Sequence, residues 1–157
     1  MKTINLVSVF FITLVSLTAS AMHHSANEKN IILINDYFAT LASGDMKKFS
    51  SFFAKDVVWH QPGKNKFSGP KQGFGEIGAM VGGMMQDTKG TFVVKQTGQP
   101  MANGDLVSVH VTFTGSKSGT KVDMTGHDLF KIQNNKIVEV WLFSEDQSAE
   151  DSFWDHK

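Results

Sequence analysis

Two neighbouring stretches of this chain alternate so regularly that they demand a sheet with one buried face. From Leu106 to Thr114, Val107, Val109, Val111 and Phe113 fall on one side of a strand, while Ser108, His110, Thr112 and Thr114 fall on the other. The segment KVDMTGHDLFKI, Lys121 to Ile132, repeats the pattern: Val122, Met124, Gly126, Asp128, Phe130 and Ile132 share a face. That face is apolar except for Asp128. A carboxylate there is costly unless it is paired, neutralised or used. Asp128 therefore marks a pocket with recognition or chemistry in it.

The elements around these strands follow from periodicity and turn residues. Ile31, Ile34, Phe38, Leu41 and Ala42 recur at three- and four-residue steps and predict an amphipathic helix over Glu28 to Ser43. Gly44 stops it, and Asp45 caps a second short helix through Phe53. Asp56 to Gln61 reads as a strand ended by Pro62-Gly63. A loop follows to about Lys71, then a glycine-rich helix from Phe74 to Met85. Thr91 to Thr97 is a strand, and Asn103-Gly104 a tight-turn signal. Lys117-Ser118-Gly119 and Asn134-Asn135 are the turns on either side of the Asp128 strand. Ile137 to Phe143 is the last strand, and Asp146 to Trp154 a closing helix. Helices first and an antiparallel sheet afterwards make an α+β domain with the helices on one sheet face. If Asn134-Asn135 is a two-residue loop, Gln133 pairs with Lys136 and Asp128 lies opposite Trp141, so that Trp141 and Phe143 wall the same face as Asp128.

Composition removes several functions. The 157 residues carry fifteen basic and fifteen acidic side chains, and every basic one is lysine. A nucleic-acid partner calls for a basic surplus. Without arginine there is no bidentate fork for phosphate, and no glycine-rich phosphate loop follows a strand. No metal-ligand spacing is present, since His127 and Asp128 face opposite ways, and no cofactor is expected. Lys2, an apolar run from Ile4 to Leu17 and the small-residue exit Ala19-Ser20-Ala21 describe a secretory leader too short for a spanning helix. The expectation is a leader over residues 1–21 and one domain over residues 22–157. That domain would be exported, to the periplasm or beyond, and free of the membrane after cleavage. With no cysteine it would hold together without disulfides.

Helix, short helix, a strand carrying DVVWHQPG (Asp56 to Gly63), helix, then strands ending in WLFSEDQSAEDSFW: this order resembles the SnoaL-like branch of the NTF2-like superfamily, which includes the ketosteroid isomerases. The resemblance covers about Glu28 to Trp154. It implies a cone, a curved antiparallel sheet with N-terminal helices over its concave face, enclosing an apolar pocket for a small molecule and usually forming a homodimer. It does not fix one reaction. Compared with the ketosteroid isomerases, YFATLASGD places Tyr37 at their catalytic tyrosine, HDLFKI places Asp128 at their protonated aspartate, and VVWHQPG places His60 where their general base stands. The resemblance thus implies Tyr37 and Asp128 as donors to a developing oxyanion and His60 as proton shuttle. Trp59, Met84, Val109 and Phe113 are expected to line the pocket. So are Met124, Phe130, Trp141 and Phe143. Acid–base isomerisation, cyclisation or dehydration is the expected chemistry. Non-catalytic ligand binding, or a protein-interaction module using the sheet face with His110, are the alternatives.

Overall fold

The computed structural model describes residues 26–156, so the expected leader over residues 1–21 lies outside them. Helix α1 covers residues 26–43 and buries Leu33, Ile34, Tyr37 and Phe38; of the expected stripe Ile34 and Phe38 are buried, Ile31 and Leu41 half-buried and Ala42 exposed. Gly44 ends it with a φ of 73°, and Asp45 caps α2 (Met46–Ser50) by accepting from the Lys48 amide at 2.9 Å. The order continues β1 (Phe53–Gln61), β2 (Gly69–Gln72), α3 (Gly73–Asp87), β3 (Val93–Gln96), β4 (Met101–Asn103), β5 (Leu106–Lys117), β6 (Thr120–Gln133), β7 (Lys136–Ser144) and α4 (Gln147–Asp155). β2 and β4 are short strands in stretches that the sequence marked as loop and turn. Their residues carry no alternation for a pattern to find.

The seven strands form one curved sheet ordered β2-β1-β7-β6-β5-β3, with β4 also on β5. It is mixed rather than wholly antiparallel, because β1 runs parallel to β7 with Trp59 beside Val140 and His60 beside Trp141. The sheet curves without closing into a barrel, and the apolar faces of β5 and β6 turn inward as their alternation requires. Val107, Val109, Val111, Phe113, Val122 and Phe130 are all buried. Against this face lie Ile34 and Phe38 from α1, Ile77, Met80 and Met84 from α3, and Phe153 and Trp154 from α4.

One irregularity decides which residues face inward on β7. The β6–β7 turn is the expected two-residue loop: Gln133 pairs with Lys136, and Asn134 and Asn135 adopt φ values of 50° and 59°. Ile132 then pairs with Ile137, but Lys131 pairs with Glu139, leaving Val138 as an extra residue. This bulge shifts the register by one. Asp128 therefore lies opposite Leu142, and Trp141 opposite Leu129. The expected Asp128–Trp141 pairing does not form. Val140, Leu142 and Ser144 take the inward positions that Trp141 and Phe143 would otherwise hold.

Candidate functional site

The inner face of the sheet and helices α1 and α3 enclose a cavity of about 530 Å³ whose lining is mostly hydrocarbon. Phe38, Met80, Met84, Val111 and Phe113 make much of its wall. Tyr37, Trp59, Gln61, Asp128, Ser144 and Glu150 bring polar atoms to it.

Asp128 owes its position to the strand period. On its own strand it stands between the inward residues Gly126 and Phe130; across the ladder it faces Val109 on β5 and Leu142 on β7. It is 6% exposed. Among the described residues nothing donates a hydrogen bond to it, and its carboxyl opens into the cavity. Burial in hydrocarbon pushes its pKa up to about 7, and the negative charge of Glu150 adds to the effect. Asp128 thus keeps its proton in mild acid and exchanges it in the neutral range.

Tyr37 reaches the same space from α1. Its ring is packed by Phe38 and Phe49 at 4.9 Å, by Phe130 at 5.2 Å and by Phe53 at 5.9 Å. Because Phe130 is the next inward residue after Asp128, this stacking sets the phenol beside the carboxyl. Its hydroxyl has no partner among the described residues. Burial raises the pKa well above that of an ordinary tyrosine, with Asp128 contributing, so the phenol stays a hydrogen-bond donor.

Glu150 is the residue that sequence reasoning passed over. It comes from α4, whose N-terminus Asp146 caps by accepting from the Ala149 amide at 2.9 Å. Glu150 and Trp154 lie one turn apart on the buried side of that helix, and Glu150 is 5% exposed. Trp154 Nε1 donates to Oε1 at 3.2 Å, Gln147 Nε2 donates to Oε2 at 3.3 Å, and the Ser144 hydroxyl also donates to Oε2. Burial raises its pKa, the three donors pull it back, and the outcome stays above the usual carboxylate range. The signal that would have found it is the one that found Asp128: an acid on the apolar stripe of its element, here with Phe153 and Trp154. Ser144 was beyond reach, because only the Val138 bulge turns it inward.

His60 does not join this group. On β1 the buried side chains are Phe53, Val57, Trp59 and Gln61, so His60 projects from the opposite face. There its Nε2 meets Glu139 Oε1 at 2.9 Å and its ring stacks on Trp141 at 5.3 Å. Trp59 and His60 are adjacent on a strand and cannot both line one pocket; alternation already contained this correction. Gln61 takes the inward place instead, accepting from Trp59 Nε1 at 3.1 Å through Oε1.

Of the other expected lining residues, Trp59, Met84 and Phe113 face the cavity. Phe143 borders it, but the side chain is 57% exposed. Val109 and Phe130 are wholly buried core that supports Asp128 and Tyr37 from beneath, outside the cavity surface. Met124 lies on the inward face four residues from Asp128 and packs against the core without reaching the cavity. Trp141 is on the outer face, displaced by the bulge. His110 and His127 also lie outside, paired across β5 and β6 with ring centres 4.9 Å apart.

The two sequence pieces that carried the resemblance meet in space. Gly63, at the end of DVVWHQPG, has a φ of 87°, and the following turn presents the Lys64 amide to both Asp151 carboxyl oxygens at 3.0 Å. Asn65 Nδ2 donates to Asp151 Oδ1 at 2.7 Å. The turn after β1 thus clamps α4, and with it Glu150, over the mouth side of the sheet.

Comparisons with known proteins agree with this architecture. A crystal structure of a protein of unknown function with a cystatin-like fold from Xanthomonas campestris is 39% identical, covers 81% of this chain and 98% of its own, and superposes with a TM-score of 0.77. Bal32a, from a soil-derived mobile gene cassette, is 26% identical over 82% of this chain and 98% of its own, with a TM-score of 0.78. An NTF2-like protein from Burkholderia xenovorans LB400, 20% identical over 82% of this chain and 98% of its own, shares the fold with a TM-score of 0.68. The family profile of the SnoaL-like domain matches residues 34–140, which run from the buried stripe of α1 to the inward Val140 beyond the bulge. This chain belongs to the SnoaL-like domain family.

Proposed function

We propose that this domain binds an apolar small molecule carrying one carbonyl or hydroxyl group and moves a proton on it, as an isomerase, cyclase or dehydratase. One observation carries the reading. Asp128 is walled by Val109, Leu142 and Phe130, receives no hydrogen bond among the described residues, and opens with the Tyr37 hydroxyl into an apolar cavity. A satisfied structural acid would have donors or a cation; this one has neither, and burial raises its pKa to about 7. Two neutral donors in a dry pocket suit an oxygen on which negative charge develops. The cavity volume suits a ligand of several fused or linked rings.

The domain acts, in this proposal, after export directed by its first 21 residues, and as a homodimer. The outer sheet face supports the second statement, since it carries the His60–Trp141 stack and the half-exposed Phe143. Mature protein beginning at Met22 is the expected result of amino-terminal sequencing of exported material, and a doubled mass is expected in sedimentation equilibrium.

Native mass spectrometry of protein purified from its own source tests the main reading. The expected result is a co-purifying organic molecule with one oxygen function, converted by the wild type and left unconverted by Asp128→Asn with Tyr37→Phe. Binding without conversion under any condition would leave a carrier, and a cavity that retains and binds no organic molecule would end the reading.

A further inference from the structure

We infer that Glu150 is the proton acceptor of this cavity, working as one half of a pair with Asp128 in which a single proton is shared and Asp128 holds it. The inference rests on the acid–base reading above and supplies the base that His60, on the outer face, does not. Two acids buried to 6% and 5% exposure line one apolar space. Among the described residues no lysine or histidine pairs with either of them. Two like charges in such a space without a counter-ion cannot both persist, so one carboxyl stays neutral.

Hydrogen bonding decides which. Glu150 has three donors and Asp128 none. A carboxylate needs donors, whereas a carboxylic acid can spend its own proton on a ligand. Glu150 is therefore the ionised member and Asp128 the acid. The pattern also names the atom. Oε2 accepts from both Ser144 and Gln147, which fills its two lone-pair directions; Oε1 accepts only from Trp154 and keeps one free. The transferred proton goes to Oε1. The remaining charged or titratable groups around the pair are Tyr37 on α1, Lys95 on β3 at the cavity edge, and Asp151 beside Glu150 on α4.

The step balances without a co-reactant. A ligand C–H next to a carbonyl gives its proton to Glu150. The C–H electron pair becomes a C=C bond, and the carbonyl π pair moves to oxygen, where the Asp128 and Tyr37 O–H groups donate to it. Where the ligand carries a further C=C bond on the other side of that carbon, return of the proton from Glu150 to the far end of that bond re-forms the C=O, restores the Glu150 carboxylate and leaves a product with its double bond moved.

A planar carbon acid of general use, 5-nitrobenzisoxazole, tests the base directly. Removal of its ring C–H turns that electron pair into a nitrile, breaks the N–O bond and releases a coloured phenolate. The wild type is expected to bind it with quenching of Trp59 fluorescence and to accelerate the elimination. Glu150→Gln should lower the rate at saturation about 100-fold with binding held within about threefold. Asp128→Asn, whose amide still donates, should stay within about tenfold of wild type and lose the upper limb of the pH profile. Equal losses in the two variants, or an undiminished rate in Glu150→Gln, would overturn the assignment. Binding without elimination by the wild type would overturn it too, while leaving the cavity reading in place. Failure of the wild type to bind the probe would instead count against the cavity reading itself. A second measurement does not depend on how Glu150→Gln folds. In wild type labelled with 13C at its carboxyl carbons, Glu150 should ionise at lower pH than Asp128, and the reverse order would sink the proposal.

Discussion

Helix α4 has acids of the same kind in opposite circumstances on its two sides. Asp151 faces the turn after β1, where burial works to raise its pKa but donors from Asn65, the Lys64 amide and Gln147 more than offset this, leaving it lowered. Asp87, at the end of α3, is likewise lowered. Hydrogen bonding from Lys66 comes first, against some desolvation, and Lys117 adds at 3.2 Å while also donating to the Trp154 carbonyl at 2.6 Å. Asp128 and Glu150, which line the cavity, pair with no cation among the described residues and are both raised. The first two acids hold elements together. The second two are buried against their own preference, and it is on that electrostatic cost that the proposed proton transfer draws.

The contrast has a sign in pH. Asp87 and Asp151 have folded pKa values below their unfolded ones, so their stabilisation is present above the ordinary aspartate range and is lost as pH falls. Asp128 is the reverse. Its folded value of about 7 lies above the ordinary 3.8, so its contribution is full below 3.8 and is lost as pH rises from there through 7. The largest effect expected of any single change is therefore on pH dependence. Urea unfolding of the wild type should lose roughly 4 kcal/mol between pH 4 and pH 8 through this group, and Asp128→Asn should remove that slope. An unchanged slope in the variant would erase the distinction between the two sets of acids.

A somewhat smaller effect tests the clamp. A Cβ at Gly63 would stand 2.0 Å from Asp151 Oδ1, at a backbone φ of 87°. Gly63→Ala should therefore cost about 3 kcal/mol in thermal or chemical unfolding and loosen α4. If the cavity acids depend on α4 being clamped, the same variant should also lower any proton-transfer rate; a stability loss with an untouched rate would separate the two regions. Gly126→Ala should cost about 2 kcal/mol by unfolding, because its Cβ would meet the Phe143 carbonyl oxygen at 2.5 Å on the neighbouring strand. The smallest effect is expected at the outer face. His60→Ala should change stability by about 0.5 kcal/mol, since its pairing with Glu139 is 38% and 30% exposed, and should leave conversion in the cavity within about twofold. A large loss of turnover would return His60 to the site.

Much of this was legible in the chain. The period of two in β5 and β6 fixed which side chains of each strand point together, and Asp128 stood out because a charge cannot be ignored among hydrocarbons. The caps at Asp45 and Asp146, the stop at Gly44 and the Asn134-Asn135 turn all act where local chemistry says they should. His60 was a different matter, since the family comparison pointed inward while alternation with Trp59 pointed out, and the steric rule prevailed. Tertiary structure alone decided the rest. Val138 is skipped where β6 and β7 pair, and that single residue turns Leu142 and Ser144 inward in place of Trp141 and Phe143. Glu150 shares the cavity with Asp128 on a helix held to the sheet by the turn after β1, far earlier in the chain. Local pattern sets the face a side chain takes; which side chains from distant segments share one dry space depends on register and packing, and these exist only in the folded chain.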